Sequence, residues 1–233
     1  MAASRPSPVP WRSALQGARA HVGPGLALQA GALALVLAYY YCGPARILLT
    51  RLLELRQQTG FAFAVVSTGL FGGFLPFLYL RGGGDTPAHY SWRQGFALTA
   101  FWAYKGIEVD LFYRILARTV GEGHEAGTIL RKVVIDQLVY CPLLAVPVTV
   151  LVYEWVEARF DRVAVFADWR EPRWYLRRTL PVLISNLGVW VPAVAIIYSL
   201  PTPLQLPLQN LVLCFYTLVI AHQTRRQAVP NPI

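Results

Sequence analysis

Residues 94–118 read QGFALTAFWAYKGIEVDLFYRILAR, and the fold turns on how that stretch is understood. Its first half, Gly95 to Ala103, is as apolar as a membrane helix. Its second half places Lys105, Glu108 and Asp110 where lipid-facing residues are expected. One ionised side chain at the centre of a span costs roughly 2.5–3.5 kcal/mol on insertion scales, so three in close succession need partners. Lys105 and Glu108 stand three apart, share a helix surface and can partly neutralise each other. Asp110 lies on a different face, and Arg114, four residues on, is its nearest candidate partner. Two readings stay open. The charges form a polar lining inside a bundle, or the span ends near Ala103 and they sit at the interface on a helix that continues into solvent.

The rest of the chain decides its class. Hydrophobic residues make up 55% of the 233 positions and charged residues only 14%, against roughly 25% in an ordinary globular domain. Asp, Glu, Lys and Arg are absent from Ala20 to Ala45, from Gln57 to Leu80 and from Thr179 to Thr224. The first two intervals each fit the roughly 20 residues that cross a bilayer, and the third fits two crossings. The expectation is an all-α, polytopic membrane helical bundle of five to six transmembrane helices plus interfacial helices. Its net charge of +9 comes from arginines at the ends of apolar runs, where they reach phospholipid headgroups. No basic patch is interleaved with base-stacking aromatics, so nucleic acid is excluded as a partner.

Residues 1–24 form a basic arm with Arg5, Arg12 and Arg19; no acid occurs before Glu54. Residues 25–60 hold a first span, about Gly25 to Tyr41, ending in three tyrosines and broken by Gly43-Pro44. An amphipathic helix follows, with Ile47, Leu48, Leu52 and Leu55 at helical spacing and Arg46, Glu54 and Arg56 on other faces. Residues 61–226 form the bundle. Spans are expected at about Phe61–Tyr79, the opening stretch, Lys132–Tyr153, Thr179–Leu200 and Leu206–Gln223. Residues 227–233 are a loose tail. Gly69, Gly72 and Gly73 mark a close-packing face in the second span. Gly82-Gly83-Gly84 is a turn, because no Lys-Ser/Thr follows it to make a phosphate cradle. Glu154 to Arg178 mixes six arginines, five acids and several aromatics, as does a helix lying among headgroups. Pro201, Pro203 and Pro207 read as the last turn. Six spans put 13 Lys/Arg on the side of both termini and 7 on the other, so both termini lie inside.

A few polar residues remain within the apolar runs. Asp136 has Lys132 one turn before it and Gln137 beside it, an ion pair near the start of a span. Asn186 and Trp190, four apart, share a face, and Asn186 is a natural donor for an interhelical hydrogen bond. Lys105, Glu108, Asp110, Lys132, Asp136, Gln137, Asn186 and Trp190 are therefore the candidates for a polar lining or for locking helices together. The cysteines Cys42, Cys141 and Cys214 have unrelated spacing and read as small buried hydrophobes. No serine or cysteine stands with a base, and no metal-ligand spacing or nucleotide loop occurs. Neither an enzyme nor a cofactor or metal site is expected.

The order of the polar landmarks resembles the Mpv-seventeen family, also called the twenty-two-kilodalton peroxisomal membrane protein family. Its aromatic-Tyr-x-x-Leu signature is matched by Phe112-Tyr113-Arg114-Ile115-Leu116, followed by Arg118. Its Lys-x-x-x-Asp-Gln with a following Pro is matched by Lys132, Asp136-Gln137 and Pro142. Its Asn, three residues, Trp and Pro is met by Asn186 and Trp190, although Val191 intervenes before Pro192. Its Asn-Phe-x-x-Val-Pro is echoed only by Tyr198-Ser199-Leu200-Pro201, its later Trp-Asn stands as Phe215-Tyr216, and Asp110 replaces a common His. The likeness covers about two thirds of the chain and is that of a distant member with an added first span. It implies a compact helical bundle in the inner mitochondrial or peroxisomal membrane, or in the bacterial cytoplasmic membrane for a divergent relative. It implies a poorly selective pore for small solutes or a membrane-homeostasis protein. A scaffold without transport is the alternative, and a membrane-embedded enzyme is less favoured. The implied partners are the lipid bilayer, small solutes and other copies in a homo-oligomer. If the aromatic signature marks a helix end, Asp110 lies near the headgroups and only Lys105 and Glu108 are deep.

Overall fold

The computed structural model describes residues 22–82 and 91–228, and all regular structure among them is helical. The basic arm up to residue 21, Gly83 and Gly84 of the glycine turn, and the tail from residue 229 lie outside the described residues. In chain order the helices are α1 (Val22–Tyr41), α2 (Gly43–Thr59), α3 (Phe61–Arg81), α4 (Trp92–Val120), α5 (Ala126–Glu157), α6 (Arg162–Trp169), α7 (Tyr175–Tyr198) and α8 (Thr202–Ala228).

Three of them, α3, α5 and α7, are long and apolar enough to cross a membrane; the α1–α2 pair is a fourth if its two arms are one broken span. That is fewer than the five to six expected, and charge explains why α4 is not among them. Every 18-residue window of α4 holds at least three of Arg93, Lys105, Glu108, Asp110, Arg114 and Arg118. α8, whose side chains are described only as far as Leu218, carries no Asp, Glu, Lys or Arg before Arg225.

Helix breaks fall where the backbone chemistry puts them. The arms of the α1–α2 pair, Leu26–Tyr41 and Gly43–Thr59, meet at 99°, with Pro44 in the first turn of α2, where its missing N–H costs nothing. Gly60 separates α2 from α3 with φ 56 and ψ −129, a conformation side chains rarely adopt. α4 opens with a capping box: Ser91 accepts from the Gln94 backbone N–H, and the Gln94 side chain accepts from the Ser91 N–H. The amide of Gln94 then donates to the Val156 carbonyl at 2.8 Å, tying the start of α4 to the end of α5.

Three stretches widen from α to π geometry: Gly69–Phe74 in α3, Asp136–Ala145 in α5 and Tyr175–Thr179 in α7. Each ends two residues before a proline, at Pro76, Pro147 and Pro181. Proline supplies no N–H and crowds the carbonyl of the preceding turn, and a wider turn relieves both. In α5, Val146 donates to the Cys141 carbonyl five residues back. The next donor in that series would be Pro147, which has none, so the Pro142 carbonyl is left over. The Tyr175 hydroxyl donates to it at 2.9 Å.

The deepest packing surrounds the corner between α7 and α8. Ile197, Tyr198, Leu200, Leu204, Leu206 and Leu208 are buried there. Pro201, Pro203 and Pro207 are thus not an open turn, because α8 starts at Thr202 and runs through Pro207. α3 meets α4 through small residues. A Cβ at Gly73 would lie 2.6 Å from the Thr99 Cα, one at Gly69 3.2 Å from the Ala103 Cβ, and one at Gly106 would collide with the Ala64 carbonyl. Gly188, halfway along α7, faces open space. Gly106→Ala should therefore cost about 1–3 kcal/mol and lower the unfolding midpoint in detergent. Gly188→Ala should hold or raise it, because Ala is about 1 kcal/mol better inside a helix. Equal midpoints for the two variants would refute the contact.

Candidate functional site

The polar residues gather along α4, which reaches α2 on one side and α5 on the other. Lys105, Gly106, Val109, Asp110 and Tyr113 all lie on its buried surface. Three groups of contacts follow.

The first is built on Asp110, whose side chain has no exposed surface. Arg114 Nε donates to Asp110 Oδ2 at 2.9 Å, the partner that helical spacing proposes. Arg56 donates to Asp110 Oδ1 and, through its other terminal nitrogen, to the carbonyls of Thr202 (3.0 Å) and Pro203. Both carboxylate oxygens are thus held by guanidinium groups, and one arginine fastens α2, α4 and the head of α8 together. Asp110 is thus inside the protein and not on its surface. The reading of α2 also changes. Ile47, Leu48 and Leu55 face outward, while Leu49 and Leu53 pack on the core and Arg56, 4% exposed, continues their stripe. Spacing of three and four from Leu53 and Leu49 carried that signal, with Arg56 seven residues beyond Leu49.

The second group is Lys105, Glu108 and Tyr140. Lys105 and Glu108 form the expected ion pair, with side chains 4% and 10% exposed. The Tyr140 hydroxyl donates to the same Glu108 Oε1 at 2.5 Å, and its ring stacks on Phe112 with centroids 4.1 Å apart. Nothing in the sequence marks Tyr140 among the many aromatics. The other carboxylate oxygen, Glu108 Oε2, is buried and has no hydrogen-bond partner among the described residues.

The third group centres on Asp136, Gln137 and Cys141 in the π-helical part of α5. The Tyr198 hydroxyl donates to Asp136 Oδ2 at 2.6 Å; the Gln137 amide (3.1 Å) and the Cys141 thiol (3.5 Å) donate to Oδ1. The expected Lys132–Asp136 ion pair is not formed. Donors from α7 and from the π turn occupy the carboxylate, and the Lys132 ammonium lies 5.8 Å over the Tyr198 ring instead. Nor is Asp136 at a helix start, since α5 begins ten residues earlier at Ala126. Gln137 Oε1 is a second buried acceptor without a partner among the described residues. Tyr113 packs edge-on to Tyr198 at 5.5 Å and donates to Gln209 on α8.

Of the remaining candidates, Trp190 is buried edge-on to Tyr216, whereas Asn186 is only half-buried and makes no hydrogen bond among the described residues. The interhelical amide is Asn210 on α8, which accepts from Thr68 (2.9 Å) and donates to Ser67 (2.8 Å) on α3. As a polar residue in a charge-free interval, Asn210 could have been found by the reasoning applied to Asn186. Cys42 is exposed at the α1–α2 bend and not a buried hydrophobe, and Cys141 is a hydrogen-bond donor. No cluster of three or more His, Cys, Asp and Glu side chains suited to a metal ion occurs among the described residues.

No protein-family model, curated protein or solved structure matches this chain. The reading of the site therefore rests on its own geometry.

Removing one partner of a buried ion pair leaves an uncompensated charge and costs about 3–5 kcal/mol, whereas replacing both partners with apolar groups is often neutral. Asp110→Asn should destabilise the protein on that scale in denaturant titrations in detergent. Arg56→Met/Asp110→Leu should recover most of the loss. A double variant no better than the single one would show that Asp110 is not the anchor of α2.

Proposed function

We propose that the protein is a multi-pass, non-enzymatic membrane protein in which α1, α3, α4, α5, α7 and α8 make six crossings. In this reading α4 crosses with its charged residues turned inward and Phe96, Tyr104, Leu111 and Ile115 exposed toward lipid, and the seam between α4 and α5 carries small polar solutes or ions. The observation that supports it is that two buried acceptors along this seam, Glu108 Oε2 and Gln137 Oε1, have no hydrogen-bond partner among the described residues. A buried polar atom without a partner is costly, and the cost falls when a passing donor, cation or water supplies the missing bond. Charged groups facing a bundle interior are also the usual mark of a solute path. The motif order that resembles the Mpv-seventeen family points the same way, toward a small-solute pore in an organellar or bacterial membrane.

A second reading, a scaffold that only locks helices, is favoured by Arg56–Asp110–Arg114, in which every carboxylate oxygen is already paired. Proteoliposomes separate the two. Wild type should pass potassium or small polyols severalfold faster than empty liposomes. Lys105→Met/Glu108→Gln, which removes both charges together and so retains the fold, should lose most of that flux. Flux equal to that of empty liposomes would overturn the pore reading and leave the scaffold.

A further inference from the structure

α6 is a helix with nothing to stand on. None of its eight residues is buried, and a helix that short does not persist in water by its own propensity. Two features tie it down within the chain. The Asp161 side chain caps its first turn by accepting from the backbone N–H groups of Val163 (2.9 Å) and Ala164 (3.2 Å). On its back, Asp168 takes Arg177 at 2.6 Å and Arg178 at 3.0 Å.

Those contacts sort the charges of the segment. Between Glu154 and Arg178 the acids nearly balance the arginines in number. Four of the five acids are spent locally, however. Glu154 and Asp168 pair with Arg178, Asp168 and Glu171 pair with Arg177, and Asp161 serves the cap. Arg159, Arg162, Arg170 and Arg173 are left exposed with no ion pair among the described residues. At about 100° per residue, Trp169, Arg162, Phe166, Arg170 and Val163 fall, in that order, within an arc of about 120°. Asp168 projects on the opposite side. One face thus presents two free guanidinium groups among three large apolar side chains that are 47%, 50% and 81% exposed for Trp169, Phe166 and Val163.

We propose that this face of α6 is a docking surface for anionic phospholipid headgroups. Val163, Phe166 and Trp169 enter the acyl boundary, as aromatic and aliphatic side chains of interfacial helices do. Arg162 and Arg170, with Arg159 and Arg173 beside them, bind the phosphodiester oxygens above. The cap and the Arg177–Asp168–Arg178 pairs hold the helix in the orientation that presents this face. The surface needs a bilayer but no solute path, so it stands or falls independently of flux.

The test is native mass spectrometry of the protein from mixed micelles holding equal amounts of phosphatidylglycerol and phosphatidylcholine, at low and at high salt. Wild type should retain phosphatidylglycerol preferentially, and the preference should shrink with salt. Each arginine at a membrane surface contributes about fivefold, so Arg162→Gln/Arg170→Gln should reduce phosphatidylglycerol retention roughly tenfold or more. Arg159→Gln/Arg173→Gln should act in the same direction, and neither pair touches a buried contact. Equal retention of the two lipids by wild type, or an undiminished preference in both double variants, would overturn the proposal.

Discussion

A carboxylate with no exposed surface in the middle of a 29-residue helix cannot stand alone, and Asp110 shapes its surroundings accordingly. Arg114 supplies one guanidinium from the same helix at almost no topological cost, because it lies one turn away. The second guanidinium must come from elsewhere, and it comes from Arg56, far back in the chain. Bringing Arg56 inward folds α2 back from α1 at 99° and places its tip on the head of α8. The carbonyls of Thr202 and Pro203 benefit in turn. They belong to the first turn of α8, next to prolines that limit backbone pairing, and Arg56 provides the donors. One charge group thereby fixes the geometry of α2, α4 and α8.

The other polar groups follow a different rule, set by proline. Wherever the backbone widens, a proline lies two residues ahead, and the widened turn of α5 carries Asp136, Gln137, Tyr140 and Cys141. A π turn rotates its side chains relative to the α-helix that precedes it, so residues that would have stacked on Lys132 reach α4 and α7 instead. Asp136 finds Tyr198, Tyr140 finds Glu108, and Lys132 rests on the face of the ring whose hydroxyl Asp136 has taken. The tyrosine hydroxyls do the bridging because they join a long apolar body to a polar tip, which suits an interior that is mostly side-chain packing.

What the sequence made legible was the pattern within helices. The Lys105–Glu108 pair, the Asp110–Arg114 pair, the glycine face of α3 and the break at Gly43-Pro44 all depend on spacing of one turn or less, and spacing is written in the chain. What it hid was contact between helices. Arg56 and Asp110 are 54 residues apart, and only the Leu49–Leu53–Arg56 stripe hinted that Arg56 faces inward. Asn186 and Asn210 look alike as lone amides in apolar runs. Asn210 is opposite Ser67 and Thr68, Asn186 is half-exposed, and periodicity does not distinguish them. The Lys132–Asp136 pair failed for a related reason. Its i, i+4 spacing assumes an α-helix, and the backbone leaves that geometry at Asp136. Helices long and apolar enough to cross a membrane were legible from the charge-free intervals, but α4, which passes through Lys105, Glu108 and Asp110 as one helix, was not. α4 keeps Lys105 and Asp110 where neighbours cover them, and its charges set it apart from an apolar span.

The two ends of the buried polar system differ in how completely it is paired, and that difference separates support from action. Around Asp110 every oxygen has a charged donor, so rearrangement there would strand a charge in the interior, and the group behaves as a rivet. Around Glu108 and Gln137 the bonding among the described residues is incomplete: Oε1 of the glutamate takes two donors while Oε2 takes none of them, and the glutamine gives its amide hydrogens while its oxygen accepts from none of them. An arrangement with spare acceptors can exchange partners without stranding any of them, because the new donor replaces an absent bond. Rearrangement is therefore less costly along the α4–α5 seam than at the α2–α4–α8 junction. The Asp110 group holds α2, α4 and α8 in register.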